Sequence, residues 1–214
     1  MPTDIVIVGN SGFARECALL VEQEASRSGT VRLKGFLSFE GYEADLKGYA
    51  SYFLGLEDDY VFGSGEAAVI GIGSHRLRSR VFAKLAAKQV PFATLISPSA
   101  TVADSVVLGQ ANIITNGCFV GPDAVLGNAN LCNGLVSIGH DSVIGDGNFF
   151  GPASQVQGNV RIGNGNSIAT QCAILAHARI GDNNILAPQS VVYKGCTSGN
   201  YLMGNPARVI GTVA

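Results

Sequence analysis

Charge is the scarcest commodity in this sequence. Only 14% of its 214 residues are Asp, Glu, Lys or Arg, against about 25% in an average soluble protein. The 14 basic and 16 acidic residues leave a formal charge of −2, without the basic excess on which nucleic-acid binding rests. Long apolar runs are missing as well: none approaches the roughly 18 residues of a membrane span. The opening MPTDIVIVGN has no basic stretch ahead of its apolar residues and carries Asp4 among them, which argues against a secretory leader. The five cysteines, Cys17, Cys118, Cys132, Cys172 and Cys196, form no CxxC pair. Buried, reduced thiols in a cytoplasmic protein are the reading this favours. Histidine occurs only as His75, His140 and His177. Two in the C-terminal half cannot supply the three converging ligands of a zinc site, so no metal is expected. A GxxxxGK[ST] string is also absent, which removes the P-loop ATPases.

Glycine is plentiful, with 28 residues, and so is order of an unusual kind. Every sixth residue from Val102 through Leu108, Ile114, Val120 and Leu126 to Leu186 and Val192 is apolar, without a slip of register. A period of six is neither the 3.6 of a helix nor the 2 of a pleated strand. It is the mark of a hexapeptide-repeat parallel β-helix, in which each short face points one large residue into a three-sided prism. Small residues follow the apolar ones, as at Gly109, Gly121, Gly127, Gly139, Gly145, Gly163 and Gly181. Corners that need φ > 0 are the expected reason.

The first half reads differently. Residues 4–9 form an apolar strand that breaks at Gly9-Asn10-Ser11-Gly12, and residues 13–24 have helical spacing. Further strands are expected at 31–37, 67–73 and 92–96, and a basic helix at 75–88 behind the N-cap Ser74. Alternating strands and helices imply a small parallel sheet, half of a doubly wound fold. Residues 39–64, rich in tyrosine and acids, read as an irregular excursion. The expected domains are therefore 1–96, α/β, and 97–214, β-helix.

Two places can carry chemistry. His140-Asp141 is a charged pair in a stretch that from Gly109 onward holds only one other charge, Asp123. Such a pair on an apolar, amide-lined wall is costly unless used, and imidazole can take a proton from an attacking amine or hydroxyl. His177 is expected to point outward without a catalytic part. The segment Gly9 to Arg15 follows a strand and opens a helix, where free backbone N–H groups can hold phosphate. A side chain at Gly12 is expected both to block that approach and to strain the turn.

Together these residues resemble the bacterial sugar acyltransferases in which a nucleotide-sugar-binding α/β domain precedes a left-handed β-helix. The nearest are the nucleotide-4-amino-sugar N-acetyltransferases of bacillosamine and perosamine pathways, with their sialic-acid O-acetyltransferase relatives. The resemblance rests on VIVGNSGFARE, AVIGIGSHRLR, LISPSATVADSVVLG, NGLVSIGHDSVIGD and GNPARVIG. It implies a left-handed β-helix and a homotrimer. It also implies acetyl-CoA as co-substrate with no permanently bound cofactor, and a nucleotide-linked amino sugar as acceptor. By the same likeness His140 is the general base and Asp141 its supporting acid. Asn133 then lies near the acceptor, Gly158 offers its N–H to the thioester carbonyl, and Thr170 and Pro188 contact acetyl-CoA. Ser11, Gly12, Phe13, Ser38 and Gly73 are implied for the nucleotide-sugar. The chain departs from the bacillosamine enzymes where those carry histidine at Phe13 and Phe149 and an acid at Ser38. O-acetylation of a sialic-acid-type hydroxyl and a non-catalytic trimeric binding module are the alternative readings.

Overall fold

The six-residue period becomes a stack of two-residue strands. In the computed structural model, described for residues 1–213, the chain divides into two compact units, Met1–Pro98 and the part from Ser99 onward. In the second unit Val125 pairs in parallel with Val107 on one side and Val143 on the other, each 18 residues away. The same offset recurs on all three faces. Ile114, Val120, Leu126, Cys132, Ile138, Ile144 and Phe150 are all buried in the prism, at about 1.5–3 kcal/mol for each large side chain. Asn200–Gly204 and Ala207–Thr212 close the stack as an antiparallel pair.

The corners correct one expectation. Positive φ falls on the third residue after each inward one from Leu108 onward, and most of these are not glycine, as at Ala111 (58°), Leu135 (64°), Asp141 (57°) and His177 (65°). The glycines directly after the inward residues lie outside that region. They are required because successive coils touch there. A Cβ on Gly139 would lie 2.6 Å from the Gly158 nitrogen, and one on Gly151 2.6 Å from the Thr170 nitrogen. Coil stacking, not backbone handedness, selects them.

One corner is held by a buried asparagine ladder. Asn148 donates its side-chain amide to Asn130 Oδ1 and the Gly163 carbonyl, both at 3.0 Å, and its Oδ1 accepts the Asn166 backbone N–H at 2.9 Å. Asn148→Ala strands these partners in a dry corner, at about 1–3 kcal/mol for each unsatisfied group. Urea denaturation should show a loss of about 3 kcal/mol with the catalytic corner intact; an unchanged midpoint would remove the ladder's importance.

The first unit is a four-stranded parallel sheet. Its strands are β1 (Thr3–Val8), β2 (Val31–Ser38), β3 (Phe53–Leu56) and β4 (Glu66–Ile70), in the order β3-β2-β1-β4. Helix α1 (Gly12–Ser28) joins β1 to β2, and helix α2 (His75–Ala87) follows β4. The strand expected at 92–96 does not join this sheet: Phe92 makes only an isolated parallel bridge to Ala68, and the short strand Leu95–Ile96 lies outside it. Helix α1 runs past the apolar stretch to Ser28, where Gly29 ends it in the left-handed conformation; the Ser26 and Ser28 hydroxyls donate to the Glu22 and Glu24 carbonyls in its last turns. Ser74 caps α2 as expected. The 39–64 excursion is more regular than its composition suggests: it contains a 3-10 turn, Lys47–Tyr52, and the edge strand β3. Strand β4 ends early, at Ile70, because Gly71–Gly73 turn away; a Cβ on Gly71 would meet the Ile7 side chain at 2.8 Å and Ala14 at 3.0 Å.

Candidate active site

His140 stands at a prism corner, exposed, two residues after the inward-facing Ile138. The positive φ of Asp141 turns its carboxylate back, so that Oδ2 lies 2.7 Å from His140 Nδ1. A carboxylate there fixes the proton on Nδ1 and leaves the Nε2 lone pair free to accept another. One coil on, at the same corner, is Gly158. A Cβ built on it would sit 2.6 Å from His140 Nε2 and 2.7 Å from Cε1. The imidazole thus lies over the bare Cα of Gly158, and glycine alone leaves room for it.

The Gly158 N–H has no hydrogen-bond partner among the described residues. Comparison of corners shows why. At the next corner the equivalent N–H groups of Asn128, Asp146, Asn164 and Asp182 donate to side chains one coil further: Asp146 (2.6 Å), Asn164 (2.8 Å), Asp182 (2.6 Å) and Ser198 (2.8 Å). Beyond Gly158 the corresponding residue is Ala176, which has no acceptor to offer. A base nitrogen and a free N–H therefore lie side by side on an exposed edge, as acyl transfer requires.

The other implied residues of this unit fall at the opposite edge of the face that ends at His140. Thr170 and Pro188 are exposed and stack one coil apart at that corner. Asn133 belongs to the same corner; its Oδ1 accepts the Gly134 N–H at 2.9 Å. Phe149 is half-buried on the preceding face, between Leu131 and Ser167 in register. His177 is exposed, and its backbone N–H donates to the Gly158 carbonyl at 3.2 Å. Burial pushes the Cys118, Cys172 and Cys196 thiols up, and Cys17 likewise, so none is suited to act as a nucleophile. Among the described residues no group of His, Cys, Asp and Glu is placed to hold a metal ion, and no helix is long and apolar enough to cross a membrane.

In the first unit the turn after β1 opens α1 with its N-terminus unblocked. Ser11 is extended and makes no side-chain cap, and the first turn holds no acid. Those N–H groups and the helix dipole suit an anion. Gly9 is the constrained glycine of the turn, with φ 146° and the Gly71 carbonyl where a Cβ would go. Gly12 is not constrained: its φ is ordinary and the nearest atom to a Cβ is Arg15 Nη2 at 3.8 Å. The expected strain at Gly12 is therefore absent, and Gly12→Val tests ligand approach alone. Phe13 is half-buried, and Gly73 is exposed with open space around it. Ser38 is 1% exposed, its hydroxyl taken by Asn10 Nδ2 at 2.7 Å and the Tyr42 carbonyl at 3.0 Å. It shapes the end of β2 from within rather than facing outward.

Three side chains at this end have structural roles that the sequence reading did not assign. Asn10 also donates to the Glu43 carbonyl at 3.2 Å and accepts the Asp45 N–H at 2.8 Å. Arg15 pairs with Asp45 at 3.1 Å, which with Lys47 holds that carboxyl below its usual range. Arg78 is fully buried and donates to the carbonyls of Ile72 and Gly73 at 3.1 and 3.2 Å, fixing the turn after β4. Its spacing from Val81 and Leu85, on the inward face of α2, was the available signal.

No protein-family model and no curated protein sequence matches the chain. Solved structures do. A histidine-to-asparagine variant of perosamine N-acetyltransferase from Caulobacter crescentus, in complex with CoA and GDP-perosamine, is 22% identical with a TM-score of 0.83, over 97% of each chain. The acetyltransferase domain of PglB from Neisseria gonorrhoeae, in complex with acetyl coenzyme A, is 20% identical with a TM-score of 0.85, over 98% of this chain and all of that one. WeeI from Acinetobacter baumannii AYE is 24% identical with a TM-score of 0.83, over 97% of this chain and all of that one. Across nearly its whole length, then, the chain shares the fold of these structures, an α/β unit followed by a hexapeptide-repeat β-helix.

Proposed function

We propose that the protein transfers the acetyl group of acetyl-CoA to the amino group of a nucleotide-linked 4-amino-deoxy sugar. The observation that carries this is the His140–Gly158 corner: a base nitrogen freed by Asp141, beside a backbone N–H that no other described residue uses. The amine attacks the thioester carbon, and its proton passes to His140 Nε2. The carbonyl oxygen gathers charge against the Gly158 N–H, a contribution often worth about 3 kcal/mol. As the C–S bond breaks, the imidazolium returns the proton to the departing thiolate. No acyl-enzyme is formed, in keeping with cysteines that are buried or, at Cys196, half-buried. The bound complexes of the fold relatives, with CoA, acetyl-CoA and GDP-perosamine, support this choice of donor and acceptor class. Acetyl-CoA as donor places the reaction in the cytoplasm.

The test is thiol release from acetyl-CoA against a panel of UDP-, GDP- and dTDP-linked amino sugars, with a sialic-acid-type hydroxyl acceptor included. Turnover on an amino sugar supports the proposal. Turnover on the hydroxyl acceptor alone favours O-acetylation, and no release with any acceptor favours a binding module.

The glycine turn of the first unit is proposed to hold the acceptor's nucleotide. Gly12→Val should raise KM for the nucleotide-sugar about tenfold, the scale of a lost phosphate contact, and leave acetyl-CoA affinity and melting temperature unchanged. Weakened acetyl-CoA binding with normal sugar binding would reverse the assignment of ligands to units. A homotrimer with three sites is part of the same proposal. Phe119, Val125 and Leu135 give the prism exposed apolar surface for such packing. Light scattering at micromolar concentration should give three times the chain mass; a fully active monomer would exclude it.

A further inference from the structure

The segment FEGYEAD, residues 39–45, carries the most exposed aromatic side chain of the first unit. Tyr42 is 65% exposed, and every residue from Glu40 to Asp45 is exposed with it. Exposure on that scale would suit a loose loop, yet the backbone here is held on both sides of the ring. The Tyr42 N–H donates to the Phe39 carbonyl at 3.1 Å, and the Tyr42 carbonyl accepts the Ser38 hydroxyl at 3.0 Å. Asn10, in the glycine turn, donates to the carbonyls of Tyr42 and Glu43 at 3.5 and 3.2 Å. Asp45 closes the segment, its N–H on the Asn10 carbonyl and its carboxylate on Arg15. The ring meets Phe39 edge to face, with centroids 6.4 Å apart at 77°. Its hydroxyl makes no hydrogen bond among the described residues. A large π face is thus fixed beside the glycine turn and left open to solvent.

Charge divides this end of the sheet into two halves. The start of α1 offers free N–H groups and the positive end of the helix dipole, with no acid in its first turn. The segment opposite offers Glu40 and Glu43, both exposed, with no ion pair or hydrogen bond on either carboxylate among the described residues. Asp45 alone is paired, with Arg15 and Lys47. Unpaired carboxylates repel a phosphate but accept from N–H and O–H donors. A ligand that is anionic at one end, and at the other carries a flat ring with N–H and hydroxyl groups, complements both halves. A nucleoside diphosphate has that form.

We infer that Tyr42, backed by Phe39, is the stacking platform for the nucleobase of the acceptor and sets its preference for a base. The inference rests on the reading that the glycine turn holds the acceptor's nucleotide. Stacking admits any base and strengthens with the area of the ring, so the platform favours a purine over a pyrimidine. The tyrosine and acids that make 39–64 read as an irregular excursion are, over 39–45, a ring set among hydrogen-bond acceptors.

Calorimetry with GDP, UDP and inorganic pyrophosphate separates base from phosphate. Tyr42→Ala should weaken GDP about tenfold, the scale of one lost base–aromatic stack. UDP should lose less, and pyrophosphate nothing. Tyr42→Phe should bind all three like the wild type, because the π face remains. The chain has no tryptophan, so Tyr42→Trp supplies a sole indole, whose fluorescence GDP should quench and pyrophosphate should not. The melting temperature should hold in each variant, since the side chain is exposed. Equal losses of GDP and pyrophosphate in Tyr42→Ala would make the residue a prop of the turn and overturn the proposal. So would wild-type GDP affinity in Tyr42→Ala with an unquenched indole; a GDP loss in Gly12→Val would then still keep the nucleotide at the glycine turn. A wild-type protein that binds neither GDP, UDP nor a nucleotide-linked amino sugar overturns both.

Discussion

His140→Ala lowers kcat by about 10²–10⁴, the usual worth of a positioned general base, and leaves KM for acetyl-CoA nearly unchanged. The expectation follows from where the ring lies. Its Nδ1 is engaged by Asp141 at 2.7 Å and its Nε2 lies over Gly158, so what alanine removes is the proton acceptor and not a prop of the fold. Both side chains of the pair are more than half exposed, and the buried residues beneath them belong to other repeat positions. The melting temperature should therefore hold while turnover falls. Asp141→Asn should cost less, because the amide can still meet the ring but no longer stabilises the imidazolium formed during transfer. His177→Ala should be mild, since His177 meets Gly158 through its backbone N–H, which alanine keeps. A His140→Ala enzyme turning over at the wild-type rate would remove the mechanism.

The prism was legible in the sequence because one residue in six must fill the same interior, and Ile114 through Val192 do so without exception. The glycines were seen but explained by the wrong cause. A one-dimensional pattern cannot distinguish a residue that turns the chain from one that admits the next coil, and only the positive φ of Ala111, Leu135 and His177 separates the two roles. His140 and Asp141 stood out through local charge poverty. The contact of His140 with Gly158 needs the 18-residue coil, which turns a separation in sequence into adjacency. In the first unit Ser38 was named for its place at the end of β2, yet its hydroxyl is spent inside on Asn10 and Tyr42. The resemblance gave the position; burial decided what the side chain could reach. Arg78 was hidden for the opposite reason, a fully buried charge inside a helix read only as basic.

Gly158→Ala should lower kcat by about 10²–10³ without weakening the fold. Gly158 has no positive φ, so alanine fits the backbone there. The new methyl would instead meet His140 at Nε2 and Cε1, 2.6 and 2.7 Å away, well inside van der Waals contact. An exposed ring on a flexible side chain swings aside more cheaply than a coil shifts, and the proton acceptor leaves the N–H it works beside. Gly139→Ala makes the matching control. Its methyl would meet backbone, the Gly158 nitrogen at 2.6 Å and the Gln157 carbonyl carbon at 2.7 Å, and backbone in a packed stack yields only by separating coils, at about 1–3 kcal/mol. The pair thus predicts opposite outcomes from the same added carbon: lost turnover with an intact melting curve at Gly158, and a lowered melting temperature at Gly139. Steady-state kinetics and calorimetry on both variants decide it. Full activity in Gly158→Ala would mean that the ring has another working position and that its place over Gly158 is incidental.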